Sequence, residues 1–191
     1  MTPFTVLTAR AAALGRANVD TDQIIPARFL RKPRSAGYGN FLFHDLGAVR
    51  DAVMGAGVLF AGPNFGCGSS REGAVYALVD AGVRCVVAPS FGDIFAGNAG
   101  KNGLLTVVVP EDQAAAMRRL ALAGGTVTVD LPKQRITGEA GVTLAFEIDP
   151  FLKQALVEGV DDIAMTLSYA QALEAWTARD TKTRPWVVPS A

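Results

Sequence analysis

Cysteine and histidine are almost missing from this chain. Among 191 residues there are two cysteines, Cys67 and Cys85, and a single histidine, His44. Two cysteines cannot build a disulfide scaffold, and such scarcity suits a reducing compartment. One histidine excludes a multi-histidine metal site, and His44 reads as structural. Net charge is lacking too: eighteen basic and eighteen acidic side chains cancel. No basic face is advertised, which argues against nucleic acid as the main partner, and a neutral surface is a weak hint of a protein partner. No apolar run approaches the length of a membrane span. The N-terminus, interrupted by Arg10 and Arg16, does not read as a signal peptide. The expectation is a cytoplasmic protein with no membrane and no nucleic acid among its partners. Half of its residues are hydrophobic, enough to bury the core of a single domain spanning 1–191.

The most informative stretch is Gly62-Pro63-Asn64-Phe65-Gly66-Cys67-Gly68-Ser69-Ser70-Arg71-Glu72. Val75, Leu78 and Val79 follow at helical spacing, and Gly82 supplies a stop. Ser69 with Glu72 three residues on reads as a capping box. A glycine-rich turn then delivers Ser69, Ser70 and Arg71 to the positive end of a helix, where anions collect. No lysine stands in the segment, which rules out a Walker A loop. Arg71 stands where a dinucleotide fingerprint needs its third glycine. The plain alternative is that Ser69 is only an N-cap and Arg71 only a surface charge.

Elsewhere, Asp20-Thr21-Asp22 ahead of Pro26 suits side-chain-to-backbone turns, or a carboxylate held near the serine turn. Residues 28–40 hold four basic side chains with Pro33, Gly37 and Gly39, predicting a mobile basic loop or simply solvated charge. Val58–Ala61, Cys85–Ala88 and Leu104–Val109 read as buried strands alternating with helices, the pattern of a parallel α/β unit with ligands beyond the carboxyl ends of the strands. Glu111–Ala123 is an alanine-rich helix. Thr126–Leu131, Arg135–Thr137 and Thr143–Ile148 alternate as an antiparallel meander. Phe151–Val157 and Asp161–Arg179 predict two closing helices, the second with Ile163, Leu167, Ala170 and Leu173 on one face. A frayed tail is expected over about 180–191.

Together, Asp20–Leu30, Phe65–Glu72, Ala88–Phe91, Asp93–Phe95, Lys101–Leu105 and Phe146–Phe151 resemble the small subunits of isopropylmalate isomerase, the swivel domain of the aconitase superfamily. The resemblance implies an α/β fold in β/β/α layers, with a mostly parallel central sheet, the meander and C-terminal helices. It implies a hydro-lyase of leucine biosynthesis that dehydrates and rehydrates isopropylmalate, active only with a large subunit whose three cysteines hold a [4Fe–4S] cluster. This chain is expected to bind no metal or cofactor itself. By the same resemblance Ser69 is the base, Ser70 and Arg71 grip a carboxylate of a small dicarboxylate substrate, and Asp22 orients the serine or positions water. Several positions depart from the pattern: Gly73 replaces a histidine, Gly97-Asn98 an Asn-Asn, Gly100 a bulky aromatic and Thr106 a proline. A hydratase acting on methyl- or dimethyl-substituted malate or maleate is therefore a competing reading. So are a non-catalytic anion-binding module and a thiol enzyme built on Cys67.

Overall fold

The structure, a computed structural model, describes residues 1–187. Four strands, β1 (Val6–Leu14), β2 (Val58–Ala61), β3 (Cys85–Ala88) and β4 (Leu105–Val108), pair in parallel. Three more, β5 (Thr126–Asp130), β6 (Arg135–Gly138) and β7 (Thr143–Ala145), continue the sheet antiparallel from the free edge of β1, giving the order β4-β3-β2-β1-β5-β6-β7. The unbroken apolar runs Val-Leu-Phe-Ala and Cys-Val-Val-Ala form β2 and β3, and every residue of both is buried. Strands covered on both faces have no use for alternation. By contrast β5 alternates, with Val127 and Val129 inward, so the meander is covered on one face only.

On one side of the parallel strands, Ala12, Leu14, Leu59, Ala61, Val86 and Ala88 share a core with four helices. These are α1 (Thr21–Ile24), α2 (Gly47–Val53), α3 (Glu72–Asp80) and α4 (Asp93–Lys101). On the other side, Ala11, Val58, Phe60, Cys85, Val87, Leu105 and Val107 pack against α5 (Glu111–Leu122), α6 (Pro150–Glu158) and the inward residues of β5–β7. The chain therefore has the expected layers, helices on one face of the parallel strands and the meander with its helices on the other.

Two expectations are revised. The single closing helix is broken into α7 (Asp162–Leu167) and α8 (Ala170–Thr183). At the break Ser168 Oγ donates to the Met165 carbonyl at 2.6 Å, and Tyr169 N–H turns to the Thr166 carbonyl, a bond that tightens the last turn of α7. Met165 is buried, but Ile163, Leu167 and Leu173 are exposed, and α8 buries none of its residues. After α8 a 3-10 turn occupies Pro185–Val187; the end of the frayed-tail expectation, 188–191, lies outside the described residues. Residues 28–40, expected as an open basic loop, are wound into 3-10 turns at Ala27–Arg31, Arg34–Ala36 and Tyr38–Phe41. Pro26, Pro33 and a left-handed Gly37 limit each to about one turn. Phe29 stacks on Phe41 at 4.3 Å, and Arg34 pairs with Asp80 at 2.8 Å while lying over the Tyr76 ring, which ties the stretch to α3.

Candidate active site

The segments that follow β1, β2 and β3 are joined edge to edge beyond the carboxyl ends of those strands. Asn18 N–H donates to the Pro63 carbonyl, Gly66 N–H to Val19 and Thr21 N–H to Cys67. From the other side, Phe65 N–H reaches the Ser90 carbonyl and Gly92 N–H the Phe65 carbonyl, with Ser90 Oγ accepting from Asn64 N–H at 2.8 Å. The Asp-Thr-Asp stretch, 40 or more positions away in sequence, thereby lies along the serine turn.

Aromatic rings floor that turn. Phe65, fully buried, meets Phe95 edge-on at 5.4 Å, and Phe91 stacks near Phe95 at 6.3 Å. Gly66 at φ 74 passes directly over the Phe95 ring, so close that a Cβ would fall 2.2 Å from its Cγ. Gly66→Ala combines a left-handed backbone costing about 1–2 kcal/mol with overpacking of about 1–3 kcal/mol. A fall in thermal midpoint of several degrees is expected by calorimetry, and an unchanged midpoint would contradict this packing.

The predicted site residues follow this floor in the chain or lie alongside it. Ser69 and Ser70 are exposed, and among the described residues neither hydroxyl has a hydrogen-bond partner. Arg71 is half-buried and pairs through Nη1 with Oδ1 of Asp22. Nη1 itself is buried, with that carboxylate oxygen against it. Asp22 also accepts from Ala27 N–H at 3.1 Å. The neighbouring guanidinium, more than this N–H, holds the Asp22 carboxyl below its ordinary 3.8. A lowered folded value means that the pair's contribution is present above the ordinary carboxylate range and lost as pH falls through the lowered value. Carboxyl titration by NMR should therefore place Asp22 below 3.8 in the native chain, and a midpoint at or above that figure would show the pair absent.

The capping box is not where the sequence suggested. Helix α3 begins at Glu72, its N-cap is Arg71 in extended conformation (φ −121), and no side chain caps it. Glu72 instead accepts from Asn102 Nδ2 at 2.8 Å. The Ser69 carbonyl, which a helix capped at Ser69 would offer to Gly73 N–H, accepts from Thr21 Oγ1 at 3.1 Å. Ser69 thus stands two residues ahead of the N-cap, outside the helix. The true capping box closes α1: Asp20 accepts from Gln23 N–H at 2.8 Å and the Gln23 side chain accepts from Asp20 N–H. Sequence reasoning passed over Thr21 and Asn102, although both stand inside the matching segments.

Two departures from the expected pattern find a structural partner. A Cβ on Gly73 would meet Leu30 Cδ2 at 2.5 Å, and one on Gly100 would meet Leu152 Cδ1 at 2.5 Å. The basic segment and α6 have closed into the space that larger side chains would fill.

The cysteines do not fit an iron–sulfur cluster. Cys85 is fully buried within β3, and desolvation pushes its thiol far above the ordinary range; Cys67 is half-buried in the turn. No group of three or more His, Cys, Asp or Glu side chains placed to hold a metal occurs among the described residues.

Comparison with known proteins settles the relationship. A family model of the aconitase C-terminal domain matches residues 53–112, the part that contains the serine turn. A LeuD_N model matches residues 116–150. The 3-isopropylmalate dehydratase small subunit of Rhodospirillum centenum is 45% identical over 98% of this chain and 100% of its own length. That of Leptospira interrogans is 42% identical over 98% of each. The chain belongs to the family of 3-isopropylmalate dehydratase small subunits. A solved family structure, the 3-isopropylmalate dehydratase of Methanocaldococcus jannaschii, superposes with a TM-score of 0.69 at 29% identity, covering 90% of this chain and 99% of that one. The aconitase-like fold read from the sequence is thus shared with this family. Near-complete coverage of the small-subunit relatives also means that the serine turn, the Asp-Thr-Asp stretch and the meander all fall within the aligned length.

A cavity of about 160 Å³ lies beside the turn, lined by Gly66, Cys67, Gly68, Gly92, Asp93, Ile94 and Phe95. The Ser69, Ser70, Arg71 and Asp22 side chains line no part of it. Enclosed small-molecule sites usually reach about 300 Å³ or more. A bigger cavity, about 480 Å³, lies at the outer strands between Val108 and Glu147 and likewise touches none of the site residues.

Proposed function

We propose that this chain is the small subunit of an isopropylmalate isomerase, which interconverts 2- and 3-isopropylmalate by dehydration and rehydration in leucine biosynthesis. The observation that carries the reading is a pair of exposed, unpartnered hydroxyls immediately ahead of a half-buried guanidinium that the Asp22 carboxylate holds in place. Two hydroxyl donors and a guanidinium suit a carboxylate, and the planar fork holds one better than an ammonium can.

In this reading Ser69 takes the carbon-bound proton of the substrate as the carbon–oxygen bond to the departing hydroxide breaks, leaving the alkene. Ser70 and Arg71 hold a substrate carboxylate, and Asp22 fixes the guanidinium through the ion pair. A water then gives its hydroxide to the carbon that lost the proton, its own proton neutralising the hydroxide that left, and Ser69 returns its proton to the carbon that lost the hydroxyl. A serine hydroxyl in water is too weak an acid to serve as this base. With Ser69 ahead of the helix and Arg71 partnered by Asp22, the isolated chain does not arm it. A docked large subunit that excludes water strengthens every nearby charge and dipole, which explains why the activity belongs to the assembly.

The large subunit carries the [4Fe–4S] cluster, whose Lewis acidity serves the leaving oxygen; this chain's two cysteines cannot supply its thiolates. The assembly works in the cytoplasm; no helix among the described residues is long and apolar enough to cross a membrane. The smaller or more polar diacids lose ground because two cations of the basic segment are already spent. Arg28 pairs with Asp45, where the guanidinium and then His44 hold the carboxyl well below its usual range, and Arg34 pairs with Asp80. Reconstituting the chain with a cluster-loaded large subunit and comparing isopropylmalate, methylmalate and dimethylmaleate tests the assignment. Isopropylmalate is expected to give the highest kcat/KM; a tenfold preference for either of the others would overturn it.

A further inference from the structure

Thr21 is the one buried polar side chain among the described residues, 2% exposed, in a stretch whose neighbours Asp20 and Asp22 reach solvent. Its hydroxyl has one partner, the Ser69 carbonyl at 3.1 Å, and its N–H donates to the Cys67 carbonyl at 3.0 Å. Both bonds cross from α1 to the serine turn, 46 and 48 positions away. A buried hydroxyl without a partner costs stability, so this one is committed to its acceptor.

The choice of acceptor matters. Ser-x-x-Glu carries a strong local preference to begin a helix at Ser69, with the serine hydroxyl bonded to the Glu72 N–H. In that conformation the Ser69 carbonyl would accept from Gly73 N–H and the hydroxyl would be consumed as a cap. In the folded chain the carbonyl is taken by Thr21 instead, α3 starts two residues later, and the hydroxyl stays free. We infer that Thr21 is a positioning residue for the reaction: its hydroxyl keeps Ser69 and Ser70 out of α3 and so keeps the Ser69 hydroxyl available for proton transfer. The inference rests on the reading of Ser69 as the base.

The test uses the reconstituted complex with isopropylmalate and three small-subunit variants, Thr21→Val, Thr21→Ser and Ser69→Ala. Valine keeps the shape and removes the hydroxyl; serine restores it. Misplacing a reacting group by about an ångström costs on the order of 100-fold. For Thr21→Val, kcat is therefore expected to fall at least about tenfold while KM moves less than about threefold. Thr21→Ser should recover kcat to within about threefold of the native complex. The inference is overturned if Thr21→Val keeps its kcat, if serine does not rescue, or if Thr21→Val loses activity only because it no longer folds or assembles. Should Ser69→Ala itself retain turnover, the base assignment fails, a different result from loss of the Thr21 inference alone.

Discussion

Ser69→Ala in the small subunit should lower the turnover of the reconstituted complex by about 10²–10⁴-fold, the range that a positioned general base contributes. The substitution removes one exposed oxygen with no partner among the described residues, so the fold has nothing to lose by it. Thermal midpoint and affinity for the large subunit should match the native chain. The turn does not depend on that side chain: its shape is set by Gly66 and Gly68 in left-handed conformation, by the rings of Phe65, Phe91 and Phe95, and by backbone bonds to Val19 and from Thr21. Turnover within threefold of native, in a complex that assembles normally, would remove Ser69 from the chemistry and leave the turn as an anion-binding element.

Arg71→Lys is the second large effect, and it should fall on a different parameter. Lysine keeps the charge and its ion pair with Asp22 but loses the fork, so one of two charge-assisted hydrogen bonds to the substrate carboxylate disappears. Such bonds contribute about 1.5–3 kcal/mol each, which corresponds to a rise in KM of roughly 10–150-fold. Because the grip is made before the reaction as well as during it, kcat should change much less. Equal losses in kcat and kcat/KM with KM unchanged would instead put the guanidinium in the transition state alone. An unaffected enzyme would show that the Arg71 side chain serves only to pair with Asp22.

The parts of this protein legible in its sequence are those governed by local chemistry. β2 and β3 are short apolar runs bounded by glycine and proline, and the β5–β7 meander alternates with period two; each could be placed by its own residues. The serine turn was recognisable from its glycines and hydroxyls, as was Asp22 through resemblance. What could not be read is where distant segments compete for the same backbone group. Ser69 and Glu72 spell a capping box, but Thr21 takes the Ser69 carbonyl and Asn102 takes the Glu72 carboxylate, contacts spanning 48 and 30 positions. At the break between α7 and α8, on a smaller scale, one serine hydroxyl bonds back to a helix carbonyl. The basic segment misled for a related reason. Asp45 and Asp80, which absorb Arg28 and Arg34, come from elsewhere in the chain, one of them 46 residues distant.

The departures at Gly73 and Gly100 illustrate compensation of the same kind. Read singly, each is a missing side chain; in the fold, Leu30 and Leu152 stand within contact distance of the vacated positions. Neither touches Ser69, Ser70, Arg71 or Asp22. The substitutions therefore alter what supports the site while its chemical groups stay in place.

One competition experiment bears most directly on the claim that this chain lends a base to a reaction completed by a partner. Ser69→Ala small subunit is added in increasing amounts to a fixed, limiting quantity of cluster-loaded large subunit and native small subunit, and alkene formation from isopropylmalate is followed. The account predicts silence from either native subunit alone, activity from the pair, and a fall in that activity in proportion to the share of mutant chain. Activity that persists when the mutant chain has displaced the native one, or that arises from the large subunit without any small subunit, would contradict it.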